Sequence, residues 1–181
     1  SDDSGIDSIK DLEGKRVVTH NPGHEAAEIF LDLIGLYNLD PESDMTVRRG
    51  ALGEGATLYQ DGHVDAWIYK GPTPHPDVMV MLSSRGGHIV EITDEEATRL
   101  PLYLQTVIKA GTYEQIEEDV QTLSVPLMLI THKDVPEEKV YQITKALYNN
   151  VEEMWQVRAA MQGRTAEDLA TFPAGVEIHA G

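Results

Sequence analysis

The sequence predicts an α/β fold, a mixed sheet flanked by helices. Three observations carry that expectation. Strand-like and helix-like periodicities alternate through roughly the first ninety residues. Turn residues such as Gly14, Asn21-Pro22-Gly23 and Asp61-Gly62 fall between those segments. The second half holds the most apolar run of the chain, Leu123 to Thr131, followed by a long amphipathic stripe.

Taken in order, residues 1–9 are mostly polar and are expected to be a flexible lead-in. Arg16 to His20 reads as a strand, and Asn21-Pro22-Gly23 as a turn or helix-start signal. Ala27, Phe30, Leu31 and Ile34 then recur at helical spacing, with Gly35 where a C-cap would sit. Met45 to Arg48 is a short strand. Leu52 to Gln60 is a helix with Leu52, Ala56 and Tyr59 on one side, and Val64 to Tyr69 is the next strand. A proline-rich turn leads to a helix near 77–82 and a strand near 88–90. A β-α-β-α-β order of this kind implies a parallel or mixed sheet covered by helices on both faces.

In the second half, Glu95 to Leu100 reads as a short helix and Leu123 to Thr131 as a buried strand interrupted by Pro126. Asp134 has the position of an N-cap, with Glu137 three residues on. Val140, Ile143, Leu147, Val151 and Met154 form the amphipathic stripe, a further helix is expected from about Thr165, and the C-terminal ten residues read as irregular.

Composition excludes several classes. The 181 residues carry a net charge of −17, which opposes binding to nucleic acid phosphates or anionic membranes. There are no cysteines, so disulfides, thiolate metal sites and cysteine nucleophiles are absent. No apolar run approaches the length of about 18 residues that a membrane-spanning helix needs. No leader pattern is visible, and since the chain starts at Ser1 this leaves export open.

The strongest site candidate is the strand–turn–helix from Val17 to Ala27. A strand that feeds a helix through Asn21-Pro22-Gly23 leaves main-chain N–H groups at the carboxyl edge of the sheet, where carboxylates and phosphates bind. An ordinary connecting loop is the competing reading. The segment is neither a P-loop nor a G-x-G-x-x-G turn, so no nucleotide is expected. His20 and His24 are four apart beside Glu25, but Pro22 and Gly23 break any helix between them, so no metal site is expected. Tyr69 and Lys70 end the Val64 strand ahead of the stiff Gly71-Pro72-Thr73-Pro74 loop. No nucleophile elbow or other catalytic motif is present, and no cofactor is expected.

Several segments resemble a known family. Asp11 to Val18 (D-L-E-G-K-R-V-V), Tyr59 to Ile68 (Y-Q-D-G-H-V-D-A-W-I) and Gly71 to Pro74 are followed by Ala110 to Tyr113 (A-G-T-Y), Glu118 to Thr131 and Val140 to Asn150. Together they resemble the TAXI-type solute receptors of TRAP transporters, in the same order along the chain. The resemblance implies a type II periplasmic-binding-protein-like fold, two α/β lobes closing on a ligand across a hinge. One complete lobe plus the C-terminal part of the other would be present here, without the N-terminal part of the first lobe. The implied division is a lead-in at 1–9, a ligand-binding lobe at 10–119, and a hinge-crossing strand with C-terminal helices at 120–181.

The resemblance further implies a binding receptor rather than an enzyme, located in the periplasm or otherwise outside the cytoplasm. Its partners would be a small carboxylate or amino acid, such as a glutamate-like ligand, and the TRAP permease subunits of the membrane. Nucleic acid is not an expected partner. Family members place P-x-G-S-G-T in the first βα loop. Here Pro22-Gly23-His24-Glu25-Ala26 replaces the hydroxyls with an imidazole and an acid. The implied ligand-binding residues are Asn21, Gly23, His24, Glu25, Tyr69, Lys70, Tyr113 and Thr122. An enzyme or a sensor domain on the same bilobal fold is the alternative.

Overall fold

In the computed structural model, residues 2–125, 128–157 and 177–180 are described. The chain divides into two compact units, Ser1–Ser124 and Val125–Gly181. The first unit contains β1 (Arg16–Thr19), α1 (Glu25–Gly35), β2 (Thr46–Arg49), α2 (Leu52–Gln60), β3 (Ala66–Trp67), α3 (Pro76–Arg85), α4 (Asp94–Thr98), β4 (Leu104–Ile108) and β5 (Val120–Ser124). The second contains α5 (Glu137–Asn149) and α6 (Val151–Gln156). Parallel and antiparallel pairing both occur, so the α/β class read from the sequence is the class observed.

The parallel sheet has the order β2-β1-β3. Val17 lies opposite Val47 on one side and Ala66 on the other, and Val18 opposite Arg48 and Trp67. Successive strand side chains point to opposite faces, yet Val17 and Val18 are both essentially fully buried. The central strand is therefore covered on each side. Val17 packs in a cluster with Ile6, Ile9, Leu12 and the α1 residues Phe30, Leu33 and Ile34. Val18 packs in another with Ala56 and Tyr59 of α2 and Met81 of α3. The path explains this division. From β1 the chain moves outward to β2, then crosses back past β1 to β3, so crossovers of one hand set α1 and α2 on opposite faces.

Helix α1 buries Ala26, Ala27, Phe30, Leu33 and Ile34, while Leu31 is 40% exposed. The apolar stripe is thus rotated from the expected one. Burying Phe30 alone stabilises the fold by up to about 3 kcal/mol. Gly35, expected as the C-cap, remains helical. The chain leaves α1 through Asn38, whose φ is +57°. Its N–H donates to Gly35 O, and that of Leu39 to Ile34 O at 3.2 Å, the double closure that ends a helix through a left-handed residue.

Further expectations are corrected. The lead-in expected at 1–9 is anchored rather than loose among its described residues: Ile6 and Ile9 join the core, and Lys15 Nζ and His88 Nε2 bond to the carbonyls of Ser4 and Ile6. Two isoleucines among polar neighbours are enough to anchor the segment. The strand expected at 88–90 is irregular. Strand β4 was not anticipated, and it pairs antiparallel with β5 from Leu104↔Ser124 to Ile108↔Val120. Strand β5 starts ahead of the apolar run, and 128–131 carry no strand, because pairing with β4 defines the half-buried segment Val120–Ser124 as the strand. Finally, α5 begins after Pro136, and Asp134 is not its cap. The helix expected from Thr165 lies outside the described residues.

Helix α4 is tied to the end of α1. Thr93 and Glu96 form a capping box, and Tyr37 donates to Glu96 Oε1 at 2.7 Å. Burial works against the Glu96 charge, but hydrogen bonds from Thr93 and Tyr37 outweigh it and hold the carboxyl below its ordinary range.

Candidate functional site

In the order β2-β1-β3, the chain runs from β1 out to β2 and then back past β1 to β3, and the helices that follow β1 and β3 pack on opposite faces, α1 beside Val17 and α3 beside Val18. Open α/β sheets have their ligand crevice at such a reversal, outside the carboxyl ends of the strands. Here that position is shared by the loop from β1 to α1 and the loop from β3 to α3. Six of the eight sequence-derived candidates fall on these loops or at the adjoining helix start: Asn21, Gly23, His24 and Glu25 on one side, Tyr69 and Lys70 on the other.

The first loop turns at Gly23, whose φ of +83° is a conformation glycine adopts without strain. His24 N–H donates to Asn21 O at 3.1 Å and closes the turn. The backbone of His24 is extended, and its Nδ1 accepts from Ala26 N–H at 3.1 Å, so the imidazole caps α1. The buried Thr19 hydroxyl donates to Ala26 O and ties the strand end to the first helical turn. His20 Nδ1 accepts from Asn21 N–H at 3.0 Å. The His20 and His24 rings stack with centroids 3.5 Å apart and planes 13° from parallel. Among the described residues, the Glu25 N–H at the first turn of α1 makes no hydrogen bond.

The second loop is built on rings. Tyr69 lies with its centroid 5.0 Å from both Trp67 and His75, tilted to each. Burial, with smaller contributions from Tyr113 and Asp77, pushes the Tyr69 hydroxyl up to about 12. A side chain at Gly71 would collide with the Tyr69 hydroxyl, and one at Gly55 would come within 2.5 Å of Trp67 Nε1. Both glycines are therefore required by the ring packing. His75 Nδ1 accepts from Asp77 N–H at 3.2 Å and caps α3, with Pro76 next.

The two loops meet through one ion pair. Lys70 Nζ lies 2.6 Å from Glu25 Oε2, both groups about 40% exposed. At that exposure such a pair contributes at most about 1 kcal/mol, so a ligand could displace either partner. Tyr113 is brought to the site differently from expectation. It is 2% exposed, and its hydroxyl accepts from His75 N–H at 3.1 Å, so it braces the second loop from beneath. Thr122 lies on β5 opposite Thr106, in the antiparallel sheet, and makes no hydrogen bond to either loop among the described residues.

Sequence reasoning passed over His75 and Asp77 and read Trp67 as packing only. The available signal was the parallel between His24-Glu25 and His75-Pro76-Asp77, each a histidine directly before a helix with an acid in its first turn. No cluster of three or more potential metal ligands occurs among the described residues.

A three-stranded parallel sheet with two loops clasped at its order reversal makes this an α/β unit. The chain belongs to the NMT1-like family, whose model matches residues 1–181. Among solved structures it is similar to the periplasmic aliphatic sulphonate binding protein SsuA from Escherichia coli. Identity is 17% and the TM-score 0.48, over 94% of this chain and 51% of that one. The chain thus spans about half the length of that structure.

Proposed function

We propose that this chain is the ligand-binding unit of an extracytoplasmic solute receptor that captures a small carboxylate or amino acid for a TRAP-type transporter, without transforming it. The observation that carries this reading is the meeting of the β1 and β3 loops at the strand-order reversal, fastened by the Lys70–Glu25 pair. The residue-level resemblance to TAXI-type receptors supports the transporter type. In this reading Lys70 and the unbonded Glu25 N–H take the ligand carboxylate, and Glu25 takes an ammonium group where the ligand has one. Asn21, Gly23 and His24 shape the anion side, Tyr69 forms the wall, and Tyr113 supports that wall. Thr122 belongs to the strand that leads out of the lobe toward the hinge. The lobe itself extends from residue 10 to about 119.

The test is a thermal-shift panel of carboxylates and amino acids followed by calorimetry. A true ligand at a hundred times its Kd stabilises the folded chain by about 2.7 kcal/mol. At least one member of the panel is expected to raise the melting temperature, and Lys70→Ala is expected to abolish that rise. A flat response across the whole panel would overturn the proposal.

A further inference from the structure

Three imidazoles stand at the carboxyl ends of β1 and β3, and each is held the same way. His20, His24 and His75 all use Nδ1 to accept a main-chain N–H, from Asn21, Ala26 and Asp77 respectively. Two of these bonds are the N-caps of α1 and α3. Ordinary N-caps are the side-chain oxygens of Ser, Thr, Asn or Asp. Of these only Asp carries a proton equilibrium, and it lies well below neutrality. An imidazole nitrogen accepts only while it is unprotonated. A proton on Nδ1 replaces the acceptor with a donor aimed at another N–H. It also sets a cation at the positive end of the helix dipole.

We propose that His24 and His75 form a paired, proton-operated switch that uncaps α1 and α3 together when the surroundings acidify.

The surroundings of each ring favour exchange of the cap rather than simple loss. His75 Nδ1 lies 3.9 Å from Asp77 Oδ2, so the protonated ring can turn its new N–H from the Asp77 amide to the Asp77 carboxylate. Tyr69 packs against the same ring, and the Tyr113 hydroxyl receives the His75 N–H, so any turn of His75 is felt by the ring cluster of the second loop. At His24 the facing groups are His20, stacked on it, and the acids Glu25 and Glu28 of the first turn of α1. Lys70 reaches Glu25 from the second loop. Two imidazolium rings 3.5 Å apart repel strongly, so His20 and His24 cannot both hold a proton and remain stacked. Acid therefore acts on the first loop twice, by removing the cap and by opening the stack. Every contact in this switch is internal to the chain, so it can be tested with no ligand present.

The experiment is NMR on the whole chain between pH 7.5 and 5.5, above the range in which ordinary carboxylates titrate. Imidazole nitrogen shifts at pH 7.5 are expected to show His24 and His75 carrying the proton on Nε2. As these rings titrate, the Ala26 and Asp77 amides should move. Their protection from exchange, corrected for intrinsic rate, should fall about fivefold, which corresponds to the ~1 kcal/mol that a cap contributes. In the double variant His24→Asn/His75→Asn, whose caps do not titrate, the same amides should stay unchanged over this range. Three results would each overturn the switch: an Nδ1–H tautomer at pH 7.5, rings that titrate while both amides stay still, or rings that remain neutral at pH 5.5. The nitrogen shifts of the unmodified chain decide the matter even if the double variant folds poorly.

Discussion

At the scale of single residues, what stands out is how often a small or special residue serves a neighbour rather than itself. Gly71 is exposed and lies in a loop, yet a methyl group there would meet the Tyr69 hydroxyl. Gly71→Ala is therefore expected to push the Tyr69 ring from its place between Trp67 and His75. It should weaken binding of the proposed ligand at least about tenfold, or roughly 1.4 kcal/mol, with little change in melting temperature. Calorimetry on the variant beside near-ultraviolet circular dichroism checks both parts. Asp65, at the opposite edge of the sheet, has a different role. It accepts from the Arg16 main chain at 2.9 Å and from the guanidinium at 2.5 Å and 3.0 Å. The Arg16 hydrogen bond holds its carboxyl below the ordinary range despite partial burial. A depressed carboxyl stabilises the fold above its unfolded value and loses that contribution as pH falls through its folded value. Asp65→Asn should thus lower the melting temperature at pH 7, and the gap from the parent should close as pH falls through the lowered folded-state value. A gap that persists at that acidity would mean the packing, not the charge, was lost.

At the scale of elements, periodicity located the helices better than their ends. The sequence placed α2 at the residues observed, because Leu52, Ala56 and Tyr59 lie between a turn on either side. It stopped α1 one residue early, because Gly35 is the expected cap, whereas Gly35 is still helical and the chain turns away at the less obvious Asn38. The termination through Asn38 has a measurable consequence. Asn38→Gly should leave stability within a few tenths of a kcal/mol, whereas Asn38→Val should cost about 1–2 kcal/mol, since a β-branched residue resists a positive φ. Urea midpoints at constant slope would report the difference. Equal effects of Gly and Val would show that the helix end is not set by this residue. Strand β4 was illegible for another reason. Its residues are mostly exposed, so no apolar alternation marks them, and pairing with β5 alone defines it.

At the scale of the whole molecule, the charge of −17 governs behaviour that no single contact explains. Lys and Arg total 14 against 31 acids. Several of the cations are already engaged with acids, Arg16 with Asp65, Lys70 with Glu25 and Lys109 with Asp119. The remaining acids repel one another, and salt screens that repulsion over about 10 Å at 0.1 M. The melting temperature is expected to rise as salt increases from about 0.01 M to about 0.5 M. A fall over that range would mean that the ion pairs outweigh the net repulsion.

The sequence by itself determined the α/β class, the central strand at Val17-Val18, the two loops that hold the candidate site and the absence of thiol chemistry. These follow from local rules, since strand and helix periods, turn residues and composition act over a few neighbours at a time. Only the tertiary structure decided which residues of those loops act together. The Lys70–Glu25 pair spans 45 positions, the Tyr113 hydroxyl reaches back 38 to the His75 amide, and β4 exists only because β5 lies beside it. Such contacts depend on the strand order β2-β1-β3, which brings the ends of β1 and β3 together. That order is set by how two helices share the faces of one sheet, and no local pattern along the chain encodes it.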